Sequence, residues 1–142
     1  MTSSDRFKPI QKLAEKKERE AAAAFGKTLK TRDDAQHRLD DLRQYHKEYL
    51  DRFSAATRNG ICGAQIQEYQ AFIAKLEEAI GEQKRALQAM EVNCEHSKQE
   101  WRGKYSKSKA MDTAVDRLKE EEMHERERRE QNASDDHSQR RR

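Results

Sequence analysis

The sequence predicts an all-α fold: a long antiparallel two-helix coiled-coil hairpin with a disordered C-terminal tail. Three observations point to it. Apolar residues recur at alternating three- and four-residue spacing along two long stripes, the mark of a coiled-coil seam. One short glycine-bearing break, Asn59-Gly60-Ile61-Cys62-Gly63, separates the stripes. With 40% charged residues, 6% aromatic residues and a mean hydropathy of -1.34, the chain can cover one seam of side chains but not the thick core of a two-layer domain.

Residues 1–8 form an N-terminal segment, and the first helix is predicted over 9–57. Pro9, the single proline, suits a first helical turn, where its missing N–H has no partner to lose. The first stripe runs Ala14, Glu18, Ala21, Phe25, Thr28, Arg32, Ala35, Leu39, Leu42, His46, Tyr49, Phe53 and Ala56, with polar interruptions at Glu18, Thr28, Arg32 and His46. His46 reads as an interruption that helps to fix register. The turn is predicted over 58–63.

The second helix is predicted over 64–125. Its cleaner stripe runs Ile66, Tyr69, Ile73, Leu76, Ile80, Gln83, Leu87, Met90, Cys94, Ser97, Trp101, Lys104, Ser108, Met111, Val115, Leu118 and Glu122. If the chain reverses near Gly60, residues whose numbers sum to about 122 face each other in an antiparallel pair. That pairs Phe53 with Tyr69, Tyr49 with Ile73, Leu42 with Ile80 and Ala35 with Leu87. About 50 residues of helix at 1.5 Å each give a rod of about 75 Å. The same register leaves Met111, Val115 and Leu118 at or beyond the start of the first helix, with little to cover them. Residues 126–142 are expected to form a charged, disordered tail, polar and unpatterned from about Gln131. The alternating charge blocks of residues 120–130 could nevertheless extend the helix as a solvated single strand.

Several function classes are disfavoured. No apolar run approaches the length of a membrane span, and the N-terminus lacks the apolar region of a signal peptide, so a cytoplasmic protein is expected. Cys62 lies at the turn and Cys94 about 48 Å along the rod, so the two read as free thiols in a reducing compartment. His37, His46, His96, His124 and His137 never fall three or four apart, and no cysteine stands near one in ligand spacing, so no metal site is expected. No phosphate loop, nucleophile elbow or Cys-His pair occurs, and two helices enclose no pocket, which disfavours an enzyme and a cofactor alike. Arg140-Arg141-Arg142 without an aromatic platform makes a poor nucleic-acid site.

Charge is uneven along the predicted rod. Near the turn, residues 33–52 and 68–85 together hold seven cations against ten carboxylates. Towards the termini, residues 12–23 and 98–109 hold nine cations against four carboxylates. The basic end would steer towards an acidic partner surface. Between Leu42 and Leu50, and between Tyr69 and Ile80, the apolar stripe is also wider than a seam requires. Leu42, Tyr45 and Tyr49 and, opposite them, Phe72, Leu76 and Ala79 should form one partly open ridge, the kind of exposed aromatic patch that marks protein contacts.

These residues resemble the FliJ family of flagellar export proteins over about residues 10–118. Carrying the likeness are Leu13-Ala14-Glu15-Lys16, Tyr45 with Glu48-Tyr49, Asn59-Gly60-Ile61, Tyr69-Gln70 with Phe72-Ile73, Leu76-Glu77 with Ala79-Ile80, and Trp101-Arg102 with Lys104. Each is short, and their order and spacing together are specific. The resemblance implies an antiparallel coiled coil, similar to the rotor stalk subunit of rotary ATP synthases, that acts in bacterial flagellar type III export. It implies a protein that binds the hexameric flagellar export ATPase, the end bearing the termini entering the ring, and that touches the export-gate membrane protein through a mid-rod surface. The intramolecular hairpin itself leads to the expectation of a monomer.

The positions matching that gate surface are Leu42, Tyr45, Tyr49, Phe72, Leu76 and Ala79, the same ridge. The family's polar flanks fall on Arg38 and Gln83, which differ in type. ATPase contact is assigned to basic and seam residues of the basic end: Lys16, Arg19, Trp101, Arg102 and Lys104. A link to export chaperones and peripheral placement at the inner membrane also follow from the resemblance. The rival reading is a generic self-associating coiled-coil scaffold, in which two chains pair through the same stripes.

Overall fold

The chain reverses where it can do so with least strain. Gly60 holds φ at +84°, a left-handed value that carries a Cβ penalty for other residues. Its amide donates to the Thr57 carbonyl at 3.3 Å and closes helix α1 (Ser3–Asn59). Helix α2 (Gly63–Arg140) opens directly afterwards. There the Cys62 amide donates to Oε1 of Gln65 at 3.3 Å, while the Cys62 carbonyl accepts from the Ile66 amide at 3.1 Å. Only Gly60, Ile61 and Cys62 lie between the helices, a tighter link than the break expected over 58–63.

The structure is a computed structural model that describes residues 2–141. Met1 and Arg142, which belong to the expected terminal segments, lie outside the described residues, and so does one of the three arginines considered for nucleic acid. The chain divides into two compact units, one of residues 24–98 and the other of residues up to Ala23 together with those from Gln99 onward.

In the unit of residues 24–98 the two helices pack antiparallel around Ala35, Leu39 and Leu87, which are 1%, 2% and 7% exposed, with Ile80 and Met90 against them. The register is close to the expected one. Phe53 meets Tyr69 with ring centroids 5.5 Å apart, Tyr49 meets Phe72 at 4.2 Å, and Nε2 of Gln83 donates to the Ala35 carbonyl at 3.0 Å. His46 Nε2 and Glu77 Oε1 lie 3.1 Å apart across the helices. Cys94 is buried and Cys62 exposed, both as free thiols.

In the other unit, Trp101 Nε1–H donates to Glu18 Oε1 at 2.9 Å and Gln11 Nε2 donates to Asp112 Oδ1 at 2.8 Å. The Ser4 amide and hydroxyl both donate to the Glu122 carboxylate, at 2.9 and 2.7 Å. The first helix therefore starts well before residue 9, and residues 4–11 lie along 112–122. Val115 is consequently only 1% exposed, which corrects the expectation that Met111, Val115 and Leu118 would lack cover.

Two caps account for the earlier start. Thr2 Oγ1 accepts from the Asp5 amide at 3.3 Å and donates to Asp5 Oδ2 at 2.7 Å, a local N-terminal cap. Glu122 then satisfies the free Ser4 amide from the second helix. Pro9 thus lies inside α1 and not at its first turn. It lacks the N–H that would bond the Asp5 carbonyl, and two caps plus the burial of Val115, each of about 1 kcal/mol or more, offset that loss.

A second correction concerns residues 126–142. In place of a disordered tail, α2 continues through Arg140. Residues 123–140 are exposed, so no seam supports them, and the contacts present are local: Glu125 with Arg128 at 3.6 Å and with Arg129 at 3.5 Å, and Gln131 Nε2 to Asp135 Oδ1 at 3.2 Å. Such pairs at three- and four-residue spacing favour helix without any apolar face.

Candidate protein-contact surfaces

Every position of both predicted stripes is buried or half-buried. Five of the polar ones find partners: Glu18 on Trp101, Thr28 on the Phe25 carbonyl at 2.7 Å, His46 on Glu77, Gln83 on the Ala35 carbonyl and Glu122 on Ser4. An unpaired polar group in a seam would cost about 1–3 kcal/mol. With the seams closed in this way, contact surfaces must be sought on their flanks.

On the unit of residues 24–98, the six ridge residues are unequally presented. Tyr45 is 56% and Phe72 38% exposed, whereas Leu76 is a buried seam residue. Leu42, Tyr49 and Ala79 are half-buried. The closest pair is Tyr49 with Phe72, their rings tilted by 36°. Arg52 sets its guanidinium carbon 5.2 Å from the centre of the Tyr49 ring. Tyr49, Arg52, Tyr69 and Phe72 share an open groove with Gln65 and Glu68. Arg52, Gln65 and Glu68 were not singled out from sequence, although Arg52 stands one helical turn beyond Tyr49. Exposed Leu50 adds apolar surface to the same helix.

The five basic and seam residues all fall in the other unit. Lys16, Arg19 and Arg102 are exposed. Lys16 reaches Glu20 at 4.0 Å, a solvated pair of little energetic weight. Trp101 is half-buried, held by its bond to Glu18, with its ring 5.6 Å from that of Tyr105. Lys109 Nζ lies 5.4 Å from the centre of the Tyr105 ring. Sequence reasoning missed Tyr105, one turn after Trp101 and 44% exposed. Lys104 is half-buried and borders an open trough with Ile10, Leu13, Ala14, Lys17, Lys107 and Met111.

These features offer open aromatic, apolar and basic surface. The troughs are open on one side, and among the described residues no group of three His, Cys, Asp or Glu side chains could hold a metal ion. No helix among them is long and apolar enough to cross a membrane.

The sequence profile of the family described as "Flagellar FliJ protein" matches residues 3–142. The chain belongs to the FliJ family. The match takes in both helices and every ridge and basic-flank residue named above. A FliJ relative, the "Flagellar FliJ protein" of Salmonella typhi, is 28% identical over 117 residues, covering 82% of this chain and 80% of its own length. No solved structure matches the chain.

Proposed function

We propose that the chain is a non-enzymatic component of the bacterial flagellar type III protein export apparatus, one that binds the export ATPase ring and the export-gate membrane protein and so supports delivery of flagellar subunits. Membership of the FliJ family supports the flagellar assignment. The observation that carries the two-partner reading is the separation of two unlike surfaces onto two units. Tyr45, Tyr49 and Phe72 offer aromatic area on one, and Lys16, Arg19, Arg102 and Lys104 offer cations on the other, which also holds Trp101. Aromatic residues near the centre of an interface supply affinity, whereas rim cations supply steering and specificity. The aromatic groove is assigned to the gate protein and the basic flank to the ATPase. Work at the cytoplasmic side of the inner membrane, and contact with export chaperones, follow from that assignment.

A double dissociation tests it. Tyr45→Ala with Phe72→Ala should weaken binding to the purified cytoplasmic part of the gate protein by about tenfold or more, while leaving helicity and stimulation of the ATPase intact. Arg19→Glu with Arg102→Glu should do the reverse. Unchanged gate affinity in the first variant removes the ridge assignment, and unchanged stimulation in the second removes the basic-flank assignment.

A further inference from the structure

The basic unit carries a second surface, which shares only Lys104 with the ATPase assignment and nothing with the gate assignment. Ile10, Leu13, Ala14 and Met111 floor an open trough edged by Lys17, Lys104 and Lys107. Ile10, Leu13 and Lys17 each immediately precede a half-buried residue of α1 (Gln11, Ala14 and Glu18), so they share one flank of that helix at three- and four-residue spacing. Lys107 holds the same position before the buried Ser108 on α2; at helical spacing from it, Lys104 and Met111 line the trough on the seam side, while Gly103, Ala110 and Ala114 on its other side are small. A Cβ built at Gly103 would meet nothing within 4 Å. Arg19 and Arg102 follow their seam positions and so belong to the opposite flank.

Ile10 and Leu13 are each 51% exposed, apolar area that a chain of this polarity has no packing reason to leave in water. The trough holds about 150 Å³, below the roughly 300 Å³ at which small-molecule pockets begin. It suits one or two aliphatic side chains from a partner. The low α2 wall admits a third helix, whose leucines at three- and four-residue spacing would seat between Ile10, Leu13 and Met111.

Charge selects the helix. Among the described residues no carboxylate forms an ion pair with Lys17, Lys104 or Lys107, so three free cations edge an apolar floor. A second copy is a poor occupant, because its stripes are already covered within its own seams and Met123 is the lone apolar residue of its acidic run 120–130. We propose that this trough docks an acidic amphipathic helix of another protein, its leucines on the floor and its carboxylates on the three lysines.

The probe is a fluorescent synthetic helical peptide with leucines at three- and four-residue spacing flanked by glutamates, titrated with the full chain by anisotropy. Two control peptides replace the glutamates by lysine or the leucines by serine. The glutamate peptide should bind, more weakly as salt rises, and both controls should not. Ile10→Ser with Leu13→Ser should weaken binding by about tenfold or more. Lys17→Glu with Lys107→Glu should lose the glutamate peptide and gain the lysine peptide, a gain that misfolding cannot produce.

Equal binding of the glutamate and lysine peptides, or unchanged affinity in the serine variant, would overturn the proposal. So would a wild-type dimer in sedimentation that Leu13→Ser dissolves, which would assign the trough to a second copy. Binding of phosphatidylglycerol vesicles lost in the same variants would assign it to a lipid surface and overturn it likewise.

Discussion

At the scale of single residues, the carboxylate of Glu122 does what no residue of α1 does for Ser4. It takes both the amide and the hydroxyl of that residue across the helix pair. The first amides of a helix lack partners within it and carry partial positive charge, so a carboxylate suits them. The Ser4 hydroxyl first, and then its amide, hold the Glu122 carboxyl below its ordinary value of 4.5. Asp5 is lowered in the same way, chiefly by the hydroxyl of Thr2. A carboxyl depressed in the folded state contributes stability that is fully present above the unfolded value and is lost as pH falls through the folded one. Acid should therefore loosen the start of α1. Thermal unfolding followed across pH 7 to about 3 should show the wild type losing more stability below 4.5 than Glu122→Gln does, with parallel curves above it. Coincident curves at all pH values would show that the contact contributes nothing.

The same residues mark the limit of what spacing conveys. Glu18, His46, Gln83 and Glu122 were legible as polar positions in an apolar stripe, because the three-and-four alternation depends only on helix geometry. Their partners were not. The bond from Trp101 to Glu18 joins residues 83 apart, and a stripe records which face a side chain occupies, not which polar atom it meets there.

At the scale of elements, the turn was legible and the ends of the helices were not. Asn59-Gly60 announces a helix stop because glycine alone takes a left-handed φ without Cβ strain, and the structure uses Gly60 in that way. Since a Cβ at Gly60 would meet no neighbour within 4 Å, Gly60→Ala should cost the backbone term alone, about 1–2 kcal/mol. Urea unfolding should read that loss with helicity at zero urea unchanged. A variant as stable as the wild type would mean that the link rearranges at no cost. At the other end of α1, Thr2 followed three residues later by Asp5 is a start signal that sequence reasoning passed over in favour of Pro9. Proline fits a first turn, but it also fits deeper in a helix when flanking contacts outweigh one missing bond. Residues 126–140 misled for the opposite reason: with no apolar face there is no period to read, and each pair such as Glu125 with Arg129 contributes only about 0.2–0.5 kcal/mol.

At the scale of the whole molecule, what was legible depended on where apolar residues fell relative to the seams. Tyr45 and Phe72 stood out because they lie beside stripe positions and inside the predicted helices, and both are exposed. Ile10 and Leu13 did not, because the stripe was read as starting at Ala14, so their half-exposed flank had no seam to be compared with. Oligomeric state belongs at this scale too. Each unit covers its own stripe positions with the partner helix of the same chain. Two chains paired as extended helices would bury much the same apolar area, yet would have to give up the Gly60 turn with its bond to Thr57 and the Cys62 bond to Gln65. Joining two chains adds a translational and rotational cost of at least about 4 kcal/mol, whereas the three-residue link keeps the helices together without it. Sedimentation equilibrium at micromolar concentration should therefore return the monomer mass of 16.7 kDa, and a mixture of chains labelled with two different fluorophores should show no energy transfer. A doubled mass, with transfer that appears only after the mixture is heated and cooled, would mean that the helices pair between chains, and the self-associating scaffold would displace the hairpin as the basis of function.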